Sequence, residues 1–216
     1  MPHRDRGGRS RSRRPRAHRR PAPLLTQPRP APGPARAVGI DVGGTKCLGV
    51  ALDGAGAVVA EHRVPTPDGP AELLVVLVDL VEALEPAAAV GVGLPGLVTI
   101  DGVLVLAPNL PGAADLDVQA SLRARWPEAA IRVDNDATCA GWAEARVGAA
   151  RGCSDAILVT LGTGIGGGIV SAGRVLRGAH GFAGELGHMV VDPNGPPCPC
   201  GQRGCWERFA SGRGLG

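Results

Sequence analysis

Residues 37–46 read AVGIDVGGTK, and residues 155–168 read DAILVTLGTGIGGG. Each segment is an apolar run that passes into a glycine-rich turn, and a second apolar run follows each turn. Because the same unit occurs twice, we expect two related α/β halves, each opening with strand, glycine turn and strand. Glycine lets the backbone approach an anion closely, and successive N–H groups in such turns can bind phosphate.

Outward from these segments, the hydropathy pattern alternates between short apolar runs and amphipathic stretches. It predicts further strands at residues 47–51, 57–64, 89–94 and 131–133, with Asp53-Gly54 as a hairpin signal. Helices are expected at residues 70–85, 115–126 and 137–148. The second glycine turn is expected to span residues 162–168, with its partner strand at 169–176. This order of elements is typical of an α/β fold.

Composition and charge narrow the class of protein. The chain has 216 residues, of which 44% are hydrophobic and 20% charged, as in ordinary globular proteins. Apolar runs are too short for a membrane span, and no apolar segment follows the basic start as in a secretory signal. Residues 37–216 contain 12 basic and 19 acidic residues. We therefore expect no specific nucleic-acid binding by this part of the chain.

Residues 1–36 differ in composition from the rest, with 11 arginines, eight prolines and a single acid, Asp5. Such a segment cannot bury enough apolar surface to offset its ordering entropy, so we expect a disordered tail. An arm that binds anionic polymers, a transit peptide, and a plain solvated tail or misassigned translation start all stay open.

Three of the six cysteines form the run CPCGQRGC at residues 198–205, and His188 lies ten positions before it. Three thiolates and one imidazole meet the tetrahedral preference of structural Zn²⁺, so the predicted ligands are His188, Cys198, Cys200 and Cys205. A disulfide is disfavoured, because the first two thiols are too close and one would be left over. The other cysteines are expected to be small buried apolar residues: Cys47, Cys139 and Cys153.

Acidic residues lie at the end of a predicted strand and on both sides of the predicted zinc ligands. Asp134-Asn135-Asp136 follows a predicted strand and precedes a helix, where α/β proteins often place functional groups. Helix capping explains one of these three residues, not all. Glu185 and Glu207 stand on either side of the predicted zinc ligands. Rigidly held carboxylates suit bidentate recognition of vicinal hydroxyls.

At this point the sequence resembles the ROK family (repressors, open reading frames, kinases), and most of all its bacterial glucokinases. The matching segments are residues 40–46, 93–96, 107–110, 134–137, 161–168, 185–189, 198–207 and 210–212. The resemblance implies an actin-like ATPase (ribonuclease H-like) fold with two α/β domains, residues 37–133 and 134–216, and a cleft between them. Family members continue beyond the point where residue 216 ends this sequence. The second domain is therefore expected to be incomplete, and the chain alone inactive or poorly folded.

By the same resemblance, ATP and Mg²⁺ would bind opposite a hexose, most simply glucose, and Asp136 would take the proton from the sugar hydroxyl. The implied sugar-binding residues are Gly96, Asn109, Asn135, Glu185, His188 and Glu207. The implied nucleotide-binding residues are Asp41, Gly43, Gly44, Thr45, Lys46, Gly162, Thr163, Gly164 and Gly166. Asp41 would hold Mg²⁺ through water. A cytoplasmic homo-oligomer, dimer or tetramer, is expected for the full-length protein.

Several alternatives remain at this stage. The substrate could be another hexose or an N-acetylhexosamine, such as fructose, N-acetylglucosamine or N-acetylmannosamine. A polyphosphate-using glucokinase is disfavoured, because such relatives lack the cysteine run. An alternative of another class is a sugar-sensing repressor of the same family, although residues 1–36 cannot form a winged helix. An inactive fragment is the third alternative.

Overall fold

The computed structural model describes residues 37–85, 88–108, 110 and 112–215. The predicted tail, residues 1–36, lies outside them. The strands are β1 Ala37–Val42, β2 Lys46–Leu52, β3 Val58–Pro65, β4 Ala89–Leu94, β5 Leu97–Val98, β6 Val103–Leu106, β7 Leu116–Asp117, β8 Ala130–Asn135, β9 Ala156–Leu161, β10 Ile165–Ser171 and β11 Arg174–Val175. The helices are α1 Pro70–Ala83, α2 Val118–Arg125, α3 Asp136–Val147 and α4 Glu207–Ala210, with a 3₁₀ turn at Leu186–His188. Of these helices, none has the length and apolar character needed to cross a membrane.

The main sheet has five strands in the order β3-β2-β1-β4-β8. β1 pairs antiparallel with β2 and parallel with β4, and β4 pairs parallel with β8. Buried leucines on one face of α1 and valines of β1 and β4 share its core, as the helical and strand periodicities predict. Parallel pairing brings the carboxyl ends of β1, β4 and β8 to one edge of the sheet.

The second glycine segment forms a separate three-stranded sheet in the order β11-β10-β9. The strand–turn–strand unit therefore occurs twice, as the sequence predicts. The predicted length of the second turn was wrong. It comprises residues 162–164 only, and β10 already begins at Ile165 with Leu161 as its partner. Three consecutive glycines can stand in a strand here because neighbouring elements pack directly onto them.

Helix α3 lies between the two sheets and makes two of those glycines, Gly166 and Gly168, necessary. A Cβ on Gly168 would come within 2.8 Å of the Ala137 carbonyl and 3.0 Å of the Gly141 Cα. A Cβ on Gly166 would come within 2.8 Å of the Ala137 Cβ. Close packing of α3 on β10 thus requires glycine on both elements. The mixed α/β class is confirmed, and the domain boundary expected between residues 133 and 134 falls inside β8.

Smaller differences from the sequence prediction have local causes. α2 begins at Val118, later than predicted, because Asp117 caps it by accepting from the Ala120 N–H at 2.8 Å. Just before α2, Leu116–Asp117 form β7, which belongs to a small sheet with β5 and β6. β5 and β7 are only two residues long, which is too short for a hydropathy period to reveal. Cys47 is buried as predicted, whereas the prediction of a buried Cys153 was wrong, since it is exposed.

Candidate active site and metal centre

The strand register assembles the first carboxylates. Asp41 on β1 is paired with Gly93 on β4, and Gly93 with Asp134 on β8. Asp136 follows as the first residue of α3. A Cβ on Gly93 would lie 3.3 Å from the Asp136 Cα, so the absence of a side chain there lets Asp136 sit against the end of β4. Asp41 and Asp136 therefore share one edge of the main sheet.

Asn135 connects these residues. Its Oδ1 accepts from the Thr138 N–H at 2.9 Å and caps α3, as the sequence predicts for one residue of the group. Its Nδ2 donates to the Gly96 carbonyl and to Asp136 Oδ1, both at 3.1 Å. Both amide protons are thus occupied in orienting Asp136 and the turn at Gly96. A direct sugar contact by Asn135 stays a prediction.

The environment of Asp136 suits a base. Burial raises the pKa of its carboxyl above the ordinary value, and the Asp41 charge raises it further, while hydrogen bonds from the Ala137 N–H and Asn135 lower it. A raised pKa brings a carboxylate closer to the proton affinity that general-base catalysis needs near neutral pH. Beneath it, burial and the carboxylates of Asp134 and Asp136 raise the pKa of the Cys139 thiol to about 12. That thiol is therefore neutral and unreactive.

The first glycine turn is closed by its own backbone. Gly43 N–H donates to the Lys46 carbonyl at 2.9 Å. Thr66 fastens the turn from outside, since its hydroxyl donates to the Gly43 carbonyl at 2.6 Å and its N–H to the Thr45 carbonyl at 3.1 Å. Within the described part of the chain, the amides of Gly44 and Thr45 meet no acceptor. They stay available to an anion, in keeping with the predicted phosphate site.

The second glycine turn is likewise closed by a backbone hydrogen bond. Gly162 N–H donates to the Gly164 carbonyl at 3.0 Å, and Gly212 N–H donates to the Gly162 carbonyl at 2.7 Å. Among the residues that the structure covers, no acceptor faces the amide of Thr163. Gly166 differs, because its N–H already donates to Thr160 Oγ1 at 3.1 Å within the sheet. Its nucleotide-binding role stays a prediction, and close packing explains the glycine.

The metal-ligand prediction concerns four residues that the structure brings together. Ligand atoms of His188, Cys198, Cys200 and Cys205 all lie within 4.8 Å of one another. Cys198 Sγ is 3.6 Å from His188 Nδ1, and Cys200 Sγ is 3.6 Å from Cys205 Sγ. Tetrahedral Zn²⁺ with bonds of about 2.3 Å to sulfur would place its sulfur ligands about 3.8 Å apart. The four residues therefore fit zinc in type, number and spacing.

Glu185 and Glu207 flank this cluster. Glu207 Oε1 is 3.7 Å from His188 Nδ1 and 3.5 Å from Cys198 Sγ, and its other oxygen faces Gly164 in the second turn. Burial raises the pKa of Glu185, His188 lowers it, and the Asp136 and Glu207 charges raise it. Glu185, Glu207 and Asp136 thus interact electrostatically although they are far apart in sequence. Asn109, the remaining predicted sugar contact, lies outside the described residues.

Sequence reasoning missed two residues that hold the site in place. Thr66 secures the first turn, and its only signal is a hydroxyl residue after β3. Arg177 donates from Nε to Asp134 Oδ2 at 2.7 Å. Arg177 and Asp134 are 43 positions apart in the sequence, so no local pattern could pair them.

Comparison with known proteins decides the family. Residues 37–216 match the family described as ROK. This chain belongs to the ROK family. The structure resembles the ROK glucokinase of Streptomyces griseus in complex with glucose and AMPPNP, with a TM-score of 0.75 and 36% identity, covering 83% of this chain and 58% of that one. The actin-like ATPase fold predicted from the sequence is confirmed by such neighbours.

Curated relatives include kinases and a repressor. Glucokinase of Streptomyces coelicolor is 37% identical over 183 residues, 82% of this chain and 57% of that protein. Xylose repressor of Bacillus subtilis is 34% identical over 187 residues, 82% and 48% of the two chains. N-acetylmannosamine kinase of Escherichia fergusonii is 40% identical over 181 residues, 82% and 61%. The ROK chain described here thus spans between 48% and 61% of the length of these relatives.

Proposed function

We propose that this chain carries the sugar site, the catalytic base and the phosphate-binding turns of an ATP-dependent hexose kinase, with glucose as substrate. The supporting observation is that Asp136, at the strand edge that bears the first glycine turn, acts electrostatically on the half-buried Glu185, which lies three residues before the first member of the Cys₃His cluster. Two carboxylates of raised pKa beside a rigid metal clip are suited to polyhydroxyl recognition. The glucokinase relatives make glucose the first sugar to test.

Asp136 is the residue proposed to act on the sugar. Its carboxylate accepts the proton of the attacking sugar hydroxyl while that oxygen bonds to the terminal phosphorus of ATP and ADP departs. Asn135 and the Ala137 N–H hold the carboxylate through Oδ1, at 3.1 and 2.7 Å, which leaves Oδ2 for the hydroxyl. Glu185, His188 and Glu207 are proposed to fix neighbouring hydroxyls, and Gly96 and Asn109 are proposed as further sugar contacts.

The two glycine turns are proposed to receive the phosphates. The amides of Gly44, Thr45 and Thr163, which meet no acceptor among the described residues, would donate to phosphate oxygens, and Lys46 would add a positive charge. Gly43, Gly162 and Gly164 shape these turns. Asp41 would hold Mg²⁺ through water, and Mg²⁺ would neutralise charge on the phosphates.

Zinc is proposed to be structural. His188, Cys198, Cys200 and Cys205 supply four protein ligands, which leaves no coordination position for a reacting water. The metal would instead fix the imidazole of His188 and the nearby Glu207 carboxylate. Homo-oligomerisation and a cytoplasmic location stay predictions.

A sugar-sensing repressor is the second candidate, and the xylose repressor relative favours it. Kinase and repressor would share the sugar contacts, so sugar binding alone does not separate them. Phosphoryl transfer that depends on Asp136 separates the kinase from the repressor. N-acetylmannosamine is the first alternative sugar, given the kinase of that name among the relatives.

The test measures sugar binding and phosphoryl transfer separately, because the chain spans little more than half of its relatives. Glucose binding is measured by calorimetry on zinc-loaded protein, and glucose 6-phosphate formation with Mg²⁺ and ATP. We expect Asp136→Asn to keep glucose affinity within a few-fold and to lower transfer about 10²–10⁴-fold. Asp79→Asn on the exposed side of α1 is the matched control. Transfer that survives in Asp136→Asn, or absence of glucose binding, would contradict the proposal.

A further inference from the structure

The segment that carries Glu185 is fastened to the first half of the molecule at several points. We call residues 177–185 the sugar loop. Ile100 N–H, in the turn after β5, donates to the His180 carbonyl at 3.2 Å. A Cβ on Gly181, whose φ is +106°, would come within 2.9 Å of the Ile100 amide nitrogen. The middle of the loop is thus packed closely against the β5 turn.

Arg177 fastens the two ends of the sugar loop. Its carbonyl accepts from the Ala183 N–H at 3.1 Å, two residues before Glu185. Its guanidinium Nε donates to Asp134 Oδ2 at 2.7 Å, two residues before Asp136. One residue therefore contacts the chain just ahead of each of the two carboxylates.

The bond to Asp134 extends to the base through hydrogen bonds. The other Asp134 oxygen accepts from the Asn135 N–H at 3.0 Å. The Asn135 side chain in turn donates to Asp136 Oδ1 at 3.1 Å. Asp134 is mostly buried, with 15% of its side chain exposed, so its carboxylate needs the partner that Arg177 provides.

We propose that Arg177 is a positioning residue that fixes Glu185 relative to Asp136 through its ion pair with Asp134. This inference rests on the proposed function, since it assigns Glu185 to the sugar and Asp136 to the proton. Arg177 is not among the residues proposed to contact sugar or phosphate. Without it, the sugar loop keeps its contact with the β5 turn but loses its ion pair with the end of β8, and a sugar bound by Glu185 is held less accurately against Asp136.

The experiment compares Arg177→Met with Arg174→Met, an exposed arginine three positions earlier in β11. We expect Arg177→Met to weaken glucose binding about tenfold, as loss of a supporting contact does elsewhere. Affinity for Mg²⁺·AMPPNP and zinc content stay within twofold, which general unfolding would not allow. Arg177→Lys restores part of the glucose affinity, because the ammonium group reaches the same carboxylate. Asp134→Asn added to Arg177→Met costs no more than either change alone.

Glucose affinity in Arg177→Met equal to that in Arg174→Met would overturn the inference. Absence of glucose binding in the unaltered chain would contradict the proposed function instead. The inference is then decided without sugar, by hydrogen exchange of the Ile100 and Ala183 amides, which donate to carbonyl groups of the sugar loop. These amides should exchange about tenfold faster in Arg177→Met than in Arg174→Met, because the ion pair no longer holds the loop. Equal exchange in the two variants would refute the coupling.

Discussion

Replacement of Gly93 by alanine tests whether β4 sets the position of the base. A Cβ there would lie 3.3 Å from the Asp136 Cα, 3.7 Å from its Cβ and 3.8 Å from Cys139 Sγ. Carbon atoms in contact prefer separations of about 3.5–4.0 Å. The first turn of α3 must therefore retreat from β4 by about 0.2–0.7 Å, the gap between that range and the observed contact.

Gly91 supplies a matched control, because it lies two residues earlier on the same strand and faces the same side. A Cβ at Gly91 meets no atom of the described residues within 4 Å. Both changes remove the same backbone freedom from the unfolded chain, which stabilises the folded state by about 0.4–1 kcal/mol. Their difference therefore isolates the contact with Asp136. Overpacking of this kind costs about 1–3 kcal/mol in free energy of unfolding.

Urea unfolding of the zinc-loaded protein measures that difference. With an m-value of about 2 kcal/mol/M, Gly93→Ala should unfold at about 0.5–1.5 M less urea than Gly91→Ala. Zinc is kept constant and saturating, since a ligand of the folded state alters the midpoint. Equal midpoints, or a higher one for Gly93→Ala, would refute the claim that glycine is needed here to seat Asp136.

Three further predictions concern the metal cluster, the base and a hairpin. Metal analysis by mass spectrometry should find one zinc per chain in the unaltered protein and in Cys153→Ser, and none in Cys205→Ser, because Cys205 is a buried member of the proposed ligand set; stoichiometric zinc in Cys205→Ser would contradict the site. Burial first, and then the Asp41 charge, raise the Asp136 pKa, so Asp41→Asn should lower the ¹³C titration midpoint of Asp136. Since the folded pKa lies above the unfolded one, the stability that this group contributes at low pH is lost as pH rises through the folded pKa, and a midpoint that stays or rises in Asp41→Asn argues against the pairing. Ala172 has φ of +49° in the β10–β11 hairpin, so Ala172→Asn should add about 0.5–1 kcal/mol to the free energy of unfolding, and a lower urea midpoint would count against that strain.

Much of the fold follows from local sequence. The apolar runs and glycine turns at residues 37–46 and 155–168 predict both strand–turn–strand units, and leucine spacing predicts α1. The cysteine run and His188 predict a cluster whose geometry fits a metal. These features succeed because their signals lie within a few residues, and because the strand register then aligns Asp41, Gly93 and Asp134.

What local sequence does not contain is contact between distant residues. The length of the second turn depended on α3 packing onto Gly166 and Gly168, which no pattern around residues 162–168 reveals. The side chains of Thr66 and Arg177 contribute through hydrogen bonds to residues 23 and 43 positions away. Asn135 matched the sugar-binding motif, yet its amide is used to cap α3 and orient Asp136.

Titration of ¹³C-labelled carboxyl groups with D-glucose tests whether sugar meets the base. In zinc-loaded protein, the Asp136 and Glu185 resonances should shift together and saturably, because both carboxylates are proposed to contact the same molecule. Glu128, which is exposed just before β8, should not respond. Saturable glucose binding that leaves Asp136 unmoved, or no response of either resonance, would contradict the assignment of this site to sugar phosphorylation.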